Sequence, residues 1–97
     1  MKIVVNFYAY LRELVGKEAK LELDLHEGAK VSHLLDELCS IPTIKEILLD
    51  ENRELKSDIT ILKNGREIRF LDGLETVLFS GDEISIFPLV AGGNQTV

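Results

Sequence analysis

The segment Leu21-Glu22-Leu23-Asp24-Leu25-His26 alternates apolar and polar side chains without a break, the pattern of a strand with one buried and one wet face. After a turn at Glu27-Gly28, Val31, Leu34, Leu35 and Leu38 fall on one side of a helix, with Asp36 and Glu37 pointing away. A one-sided strand and a one-striped helix this close together must bury their apolar surfaces against each other. The fold class this predicts is α+β, with a sheet packed on one main helix.

The flanking segments extend that sheet. Lys2 to Tyr8 is rich in β-branched and aromatic residues with apolar side chains on both faces, which predicts a central strand. It leads into a short helix over Ala9 to Val15, where Leu11, Leu14 and Val15 share one side and Gly16 is the C-cap. Ile41-Pro42 interrupts the main helix, and Thr43 serves as N-cap for a shorter helix carrying Ile44, Ile47 and Leu48. The acidic stretch Asp50 to Glu54 reads as a loop. Asp58 to Lys63 and Arg66 to Phe70 form a hairpin around Asn64-Gly65, two residues that tolerate positive φ. Leu71-Asp72-Gly73-Leu74 and Ser80-Gly81-Asp82 turn the chain again, and Glu83 to Leu89 is the last strand. The predicted order is strand, strand, helix, short helix, strand, strand, strand.

Composition sets limits on function. A chain of 97 residues, 45% hydrophobic and 29% charged, is expected to form one globular domain. Such a domain buries roughly 60 to 65% of its unfolded surface, enough for a sheet on a helix and too little for a deep ligand cavity. A formal charge of -6 argues against nucleic acid and favours a basic protein partner. Cys39 is the only cysteine, so no intramolecular disulfide forms, in keeping with a reducing compartment. Met1-Lys2-Ile3-Val4-Val5 lacks a signal-peptide pattern and no apolar run is long enough to span a bilayer, so a cytoplasmic protein is expected.

Few side chains suggest chemistry. Cys39 reads as a packed small hydrophobe, and His26 and His33 as solvated or satisfied imidazoles without a cluster of metal ligands. Asp82 and Glu83 read as a turn and a strand start rather than an acid/base pair. Gly16-Lys17 lacks the upstream glycine and the following Ser or Thr of a phosphate loop. The distinctive feature is Gly92-Gly93, which follows the strand-like Ile84 to Ala91 and precedes Asn94-Gln95-Thr96-Val97. Two residues without Cβ make a thin segment that passes through a narrow channel, so the functional group predicted is a main-chain carbonyl. Phe7, Phe87 and Leu89 are candidates for an exposed apolar docking patch, or for the core, and Arg12 is expected on the exposed side of the first helix.

The opening Phe7-Tyr8-Ala9-Tyr10-Leu11-Arg12-Glu13-Leu14-Val15-Gly16, the turn Asn64-Gly65-Arg66-Glu67, the segment Gly81-Asp82-Glu83 and the ending Phe87-Pro88-Leu89-Val90-Ala91-Gly92-Gly93 together resemble the MoaD/ThiS family of ubiquitin-like β-grasp sulfur carriers. The opening is closer to the molybdopterin-synthase branch, and the resemblance runs from Met1 to Gly93. It implies a β-grasp body over residues 1–91 and a flexible tail over 92–97. It also implies activation of the Gly93 carboxylate as an acyl-adenylate by a separate activating enzyme that uses ATP and magnesium, then conversion to a thiocarboxylate. Gly92 and Ala91 would be the thin part of the arm, and the five residues from Leu89 reach about 17 Å when extended. No cofactor is bound stably and no catalytic site of its own is implied.

The partners implied are the activating enzyme, the large subunit of molybdopterin synthase, and a protease that removes Asn94 to Val97, since Gly93 must carry the free carboxylate. Leu89 stands where the molybdopterin branch commonly has proline. A lysine-conjugated protein modifier and a non-activated β-grasp binding module are the alternatives.

Overall fold

The computed structural model describes residues 1–88. Strands β1 (Lys2–Phe7), β2 (Lys20–Asp24), β3 (Ile59–Lys63), β4 (Arg66–Glu67) and β5 (Glu83–Pro88) form one sheet in the order β2-β1-β5-β3-β4. Only the central pair β1–β5 is parallel, with Phe7 opposite Ile86; every other pair is antiparallel. The helices are α1 (Tyr10–Val15), α2 (Val31–Leu38) and α3 (Pro42–Leu48). This is a ubiquitin-like β-grasp, in which α2 lies across one face of a mixed sheet.

The helical stripe of Val31, Leu34, Leu35 and Leu38 is buried, and it meets Ile3, Val5, Phe7, Ile59, Ile61, Ile84 and Ile86 from alternate positions of β1, β3 and β5. Period two along the strands and period 3.6 along the helix therefore converge on one core. At the start of α2 the Lys30 backbone N–H donates to His33 Nδ1 at 2.9 Å. The imidazole thus takes the place usually held by Glu or Gln in a capping box.

Three sequence expectations change. The cap of α3 is Ile41, not Thr43, and Pro42 occupies the first helical position, where its missing N–H costs no helical bond and its fixed φ suits the turn. The return strand stops at Glu67 instead of running to Phe70: Ile68 turns into the core, and the Glu67 carboxylate accepts the Arg69 N–H at 3.2 Å, which stabilises a 3-10 turn over Ile68–Phe70. Leu14 is 56% exposed, whereas Leu11 and Val15 are buried. A helix as short as α1 offers the core one narrow stripe, and Leu14 is rotated about 100° from Val15.

Asn64 (φ 50) and Gly65 (φ 85) form the turn of the β3–β4 hairpin as expected from their tolerance of positive φ. Asn64 also reaches sideways to the start of β5. Its Nδ2 donates to Asp82 Oδ1 at 2.9 Å, and its Oδ1 accepts the Glu83 N–H at 2.9 Å. Asp82 is buried, accepts the Phe79 N–H at 2.8 Å and lies 3.6 Å from Lys63 Nζ, so it pins the entry to β5 as a structural residue.

Candidate functional site

Strand β5 runs through the middle of the sheet and ends at Pro88, a buried residue opposite Ile59. That end is held on both sides. The Tyr8 N–H donates to Ile86 O at 3.0 Å from β1, and β3 supplies Thr60 opposite Phe87. Pro88 has no N–H to donate, and at the end of a strand this costs little of the ladder. The described chain therefore ends at a buried position paired with β3.

Side-chain alternation sorts the aromatic residues here. Ile84, Ile86 and Pro88 face the core, so Phe87 lies on the opposite, helix-free face of the sheet, half-buried. There it stacks on Tyr8, with ring centroids 4.5 Å apart and planes inclined by 8°. Phe7, one residue earlier than Tyr8, points the other way and is 2% exposed. The expectation that Phe7 contributes to a docking patch is thus corrected: it is a core residue, and Tyr8 holds the surface position.

Beyond Tyr8 the chain reverses at Ala9, whose φ of 55° is unusual for a residue with a Cβ, and α1 folds back beside the end of β5. Arg12 is exposed on α1, as expected. Tyr10 and Leu14 are exposed too, and they line a groove of about 340 Å³ with Ile47, Lys56, Asp58 and Ile59. An aromatic platform on the open sheet face and an apolar groove beside α1 both border the Ile59–Pro88 pair. The sequence signal for Tyr8 was available in its period-two relation to Phe87 across paired strands, but the register was needed to read it. Leu89, Ala91, Gly92 and Gly93 lie outside the described residues, as does the whole segment 92–97.

The groove lining contains no cysteine or histidine. Cys39 lies elsewhere, beside Leu35, Leu49, Leu55 and Leu74, and burial first, then the Asp36 charge, push its thiol above the ordinary value of 9.0. A protonated thiol packed among leucines is a poor nucleophile. His26 and His33 meet edge to face at 4.9 Å, and among the described residues no three His, Cys, Asp or Glu side chains are placed to hold a metal ion. Phe70 and Phe79 are exposed aromatics that sequence reasoning missed, with Lys63 Nζ 5.6 Å from the Phe79 ring. No helix among the described residues is long and apolar enough to cross a membrane. The described end of β5 thus combines a strand paired on both sides with the stacked Tyr8–Phe87 rings and the groove beside α1.

The sequence profile of the ThiS family matches residues 5–93, nearly the whole chain, and the matched span ends at Gly93. The chain belongs to the ThiS family. Relatives of this ThiS-family chain include small archaeal modifier protein 3 of Haloferax volcanii, 38% identical over 96% of this chain and 100% of the relative. A candidate sulfur carrier protein of Archaeoglobus fulgidus is 44% identical over 78% of this chain and 86% of the relative. Among solved structures, a candidate molybdopterin converting factor, subunit 1, from Pyrococcus furiosus matches with a TM-score of 0.71 and 28% identity, covering 94% of this chain and 99% of that one. Small carrier and modifier proteins thus surround this ThiS-family member.

Proposed function

We propose that this chain is a sulfur carrier whose acyl donor is Gly93, exposed by removal of Asn94 to Val97. The supporting observation is that the family match stops at Gly93, five residues beyond the buried Pro88 at which β5 ends. In the proposed reaction a partner enzyme binds ATP and magnesium. The Gly93 carboxylate attacks the α-phosphorus and displaces pyrophosphate, giving an acyl-adenylate. Hydrosulfide released by a sulfide donor then attacks the acyl carbon, loses its proton and displaces AMP, leaving a thiocarboxylate. Adenylation is needed because a free carboxylate is a poor electrophile with no good leaving group. In this reading the chain has no catalytic residue of its own: Gly92 and Ala91 supply a thin arm, while Tyr8, Phe87, Leu89 and Arg12 contact the partner. The acceptor proposed is the large subunit of molybdopterin synthase, supported by the opening motif and the likeness to the converting-factor subunit. The reaction would run in the cytoplasm, where ATP is supplied.

The likeness to a small archaeal modifier favours a second use of the same acyl-adenylate, in which a lysine amine displaces AMP and an isopeptide bond forms. Chain length tests the acyl-adenylate that both readings share, and the product decides between them. Full-length protein and a variant ending at Gly93 are incubated with the cognate activating enzyme, ATP and a sulfide donor, then weighed intact. Mass gain from exchange of oxygen for sulfur, in the shorter form alone, supports the carrier. Lysine-linked conjugates after denaturing purification from the native host support the modifier. If the shorter form gains neither AMP nor sulfur while a related carrier does so in the same assay, both uses fail.

A further inference from the structure

Strand β2 closes one side of the sheet. The Leu25 N–H donates to Met1 O at 2.8 Å and the Met1 amine donates to Leu25 O at 2.7 Å. Antiparallel alternation carries that bonded register to the pairs Leu23 with Ile3 and Leu21 with Val5. The backbone N–H and C=O groups of Glu22 and Asp24 therefore point outward, away from β1. Among the described residues no backbone hydrogen bond from a turn or loop reaches them. Both residues are exposed, so this edge is open to solvent.

Beside the edge lies a cleft between β2 and α2. Leu21 and Leu23 are half-buried on the face toward α2, where they pack against the core. Asp24, Leu25, His26, His33, Asp36 and Glu37 line a space of about 340 Å³ at the end of the strand. Three of these six residues are carboxylates, and two are the imidazoles of His26 and His33. Glu22 lies 3.8 Å from Lys2, and Asp24 and Glu27 meet the Met1 amine, but Asp36 and Glu37 have no ion-pair partner among the described residues.

We propose that the β2 edge is a docking site for an extended, basic segment of a partner protein, which adds a strand outside β2. The unpaired groups of Glu22 and Asp24 supply main-chain bonds to such a segment. Its alternate aliphatic side chains lie over Leu21 and Leu23, and the intervening Lys or Arg side chains face Glu22 and Asp24. Asp36 and Glu37 receive a further basic residue at the end of the strand. A second copy of this chain is the poorer occupant. Two molecules of net charge -6 would bring the same acidic rims together.

The test uses the full-length isotope-labelled protein, titrated with a short synthetic peptide that alternates valine and lysine. The expected result is a resonance shift and slowed hydrogen exchange at the Glu22 and Asp24 amides, with affinity that falls as salt rises. The same peptide N-methylated on alternate residues, which cannot complete the ladder, should not bind. The double change Asp36→Lys and Glu37→Lys should weaken binding about tenfold, as replacing attraction of the terminal basic residue by repulsion implies. No binding, equal binding of the N-methylated peptide, or shifts located away from β2 would overturn the proposal. Concentration-dependent shifts at Glu22 and Asp24 without peptide would assign the edge to a second copy instead.

Discussion

Phe87 and Tyr8 stack face to face across the parallel β1–β5 pair, their centroids 4.5 Å apart. The last outward side chain before Pro88 is thereby held by an aromatic from the other end of the chain. A preformed aromatic surface of this kind loses little side-chain entropy when a partner covers it.

Phe87→Ala should leave the fold intact while weakening binding to the activating enzyme about fivefold or more, the loss of a contact worth over about 1 kcal/mol. Titration calorimetry beside a thermal melt separates the two effects. Unchanged affinity together with unchanged melting would remove Phe87 from the interface.

Phe7→Ala should do the reverse. At 2% exposure its ring fills the core, and truncation should cost about 3 to 5 kcal/mol of stability by urea unfolding. A loss below about 0.5 kcal/mol, typical of surface positions, would contradict the burial.

Asp82→Ala leaves Asn64 Nδ2 and the Phe79 N–H without their acceptor near the entry to β5. The expected cost is about 1 to 3 kcal/mol, the penalty for stranding buried polar groups. Asp82→Asn, which retains an acceptor oxygen, should recover part of it in the same denaturation assay.

Lys30 Nζ and Glu75 Oε1 lie 2.6 Å apart and tie the start of α2 to the turn at Gly73–Glu75. The Lys30 hydrogen bond first, and its charge second, hold the Glu75 carboxyl below its ordinary value of 4.5. Because the folded value is depressed, the stabilisation is present above pH 4.5 and disappears as pH falls through the folded value. Glu75→Gln should therefore differ from the parent in urea midpoint at neutral pH, and the two curves should merge in acid. A gap that persists unchanged in acid would show that the ion pair is not its source. The pair is exposed, so the gap should be small and shrink with added salt.

If Gly93 is the acyl donor proposed above, Gly93→Ala in a chain ending at that residue should slow acyl-adenylate formation, because a Cβ thickens the end of the arm. Pyrophosphate exchange with the activating enzyme measures this. A rate equal to that of the glycine form would show that the route is wider than two glycines suggest.

Sequence alone determined the elements whose signals are local. The alternation of Leu21, Leu23 and Leu25, the stripe of Val31, Leu34, Leu35 and Leu38, and the positive-φ pair Asn64-Gly65 each depend on neighbours within a few residues, and each has its expected role. The family-level reading was legible for a similar reason: the opening and closing motifs are contiguous in the chain. Tertiary structure decided what local patterns leave degenerate. Phe7 and Tyr8 both sit in an apolar strand, and only the pairing of Phe7 with Ile86 determines which of them faces α2. Leu14 lies beside two core residues on a helix too short to bury three. Ile68 is buried from a 3-10 turn rather than from a longer β4, and the Glu67 carboxylate that accepts the Arg69 N–H marks where the strand ends. A strand's period states that two faces differ, but which face is inside is fixed by residues far away in sequence that close the other half of the contact.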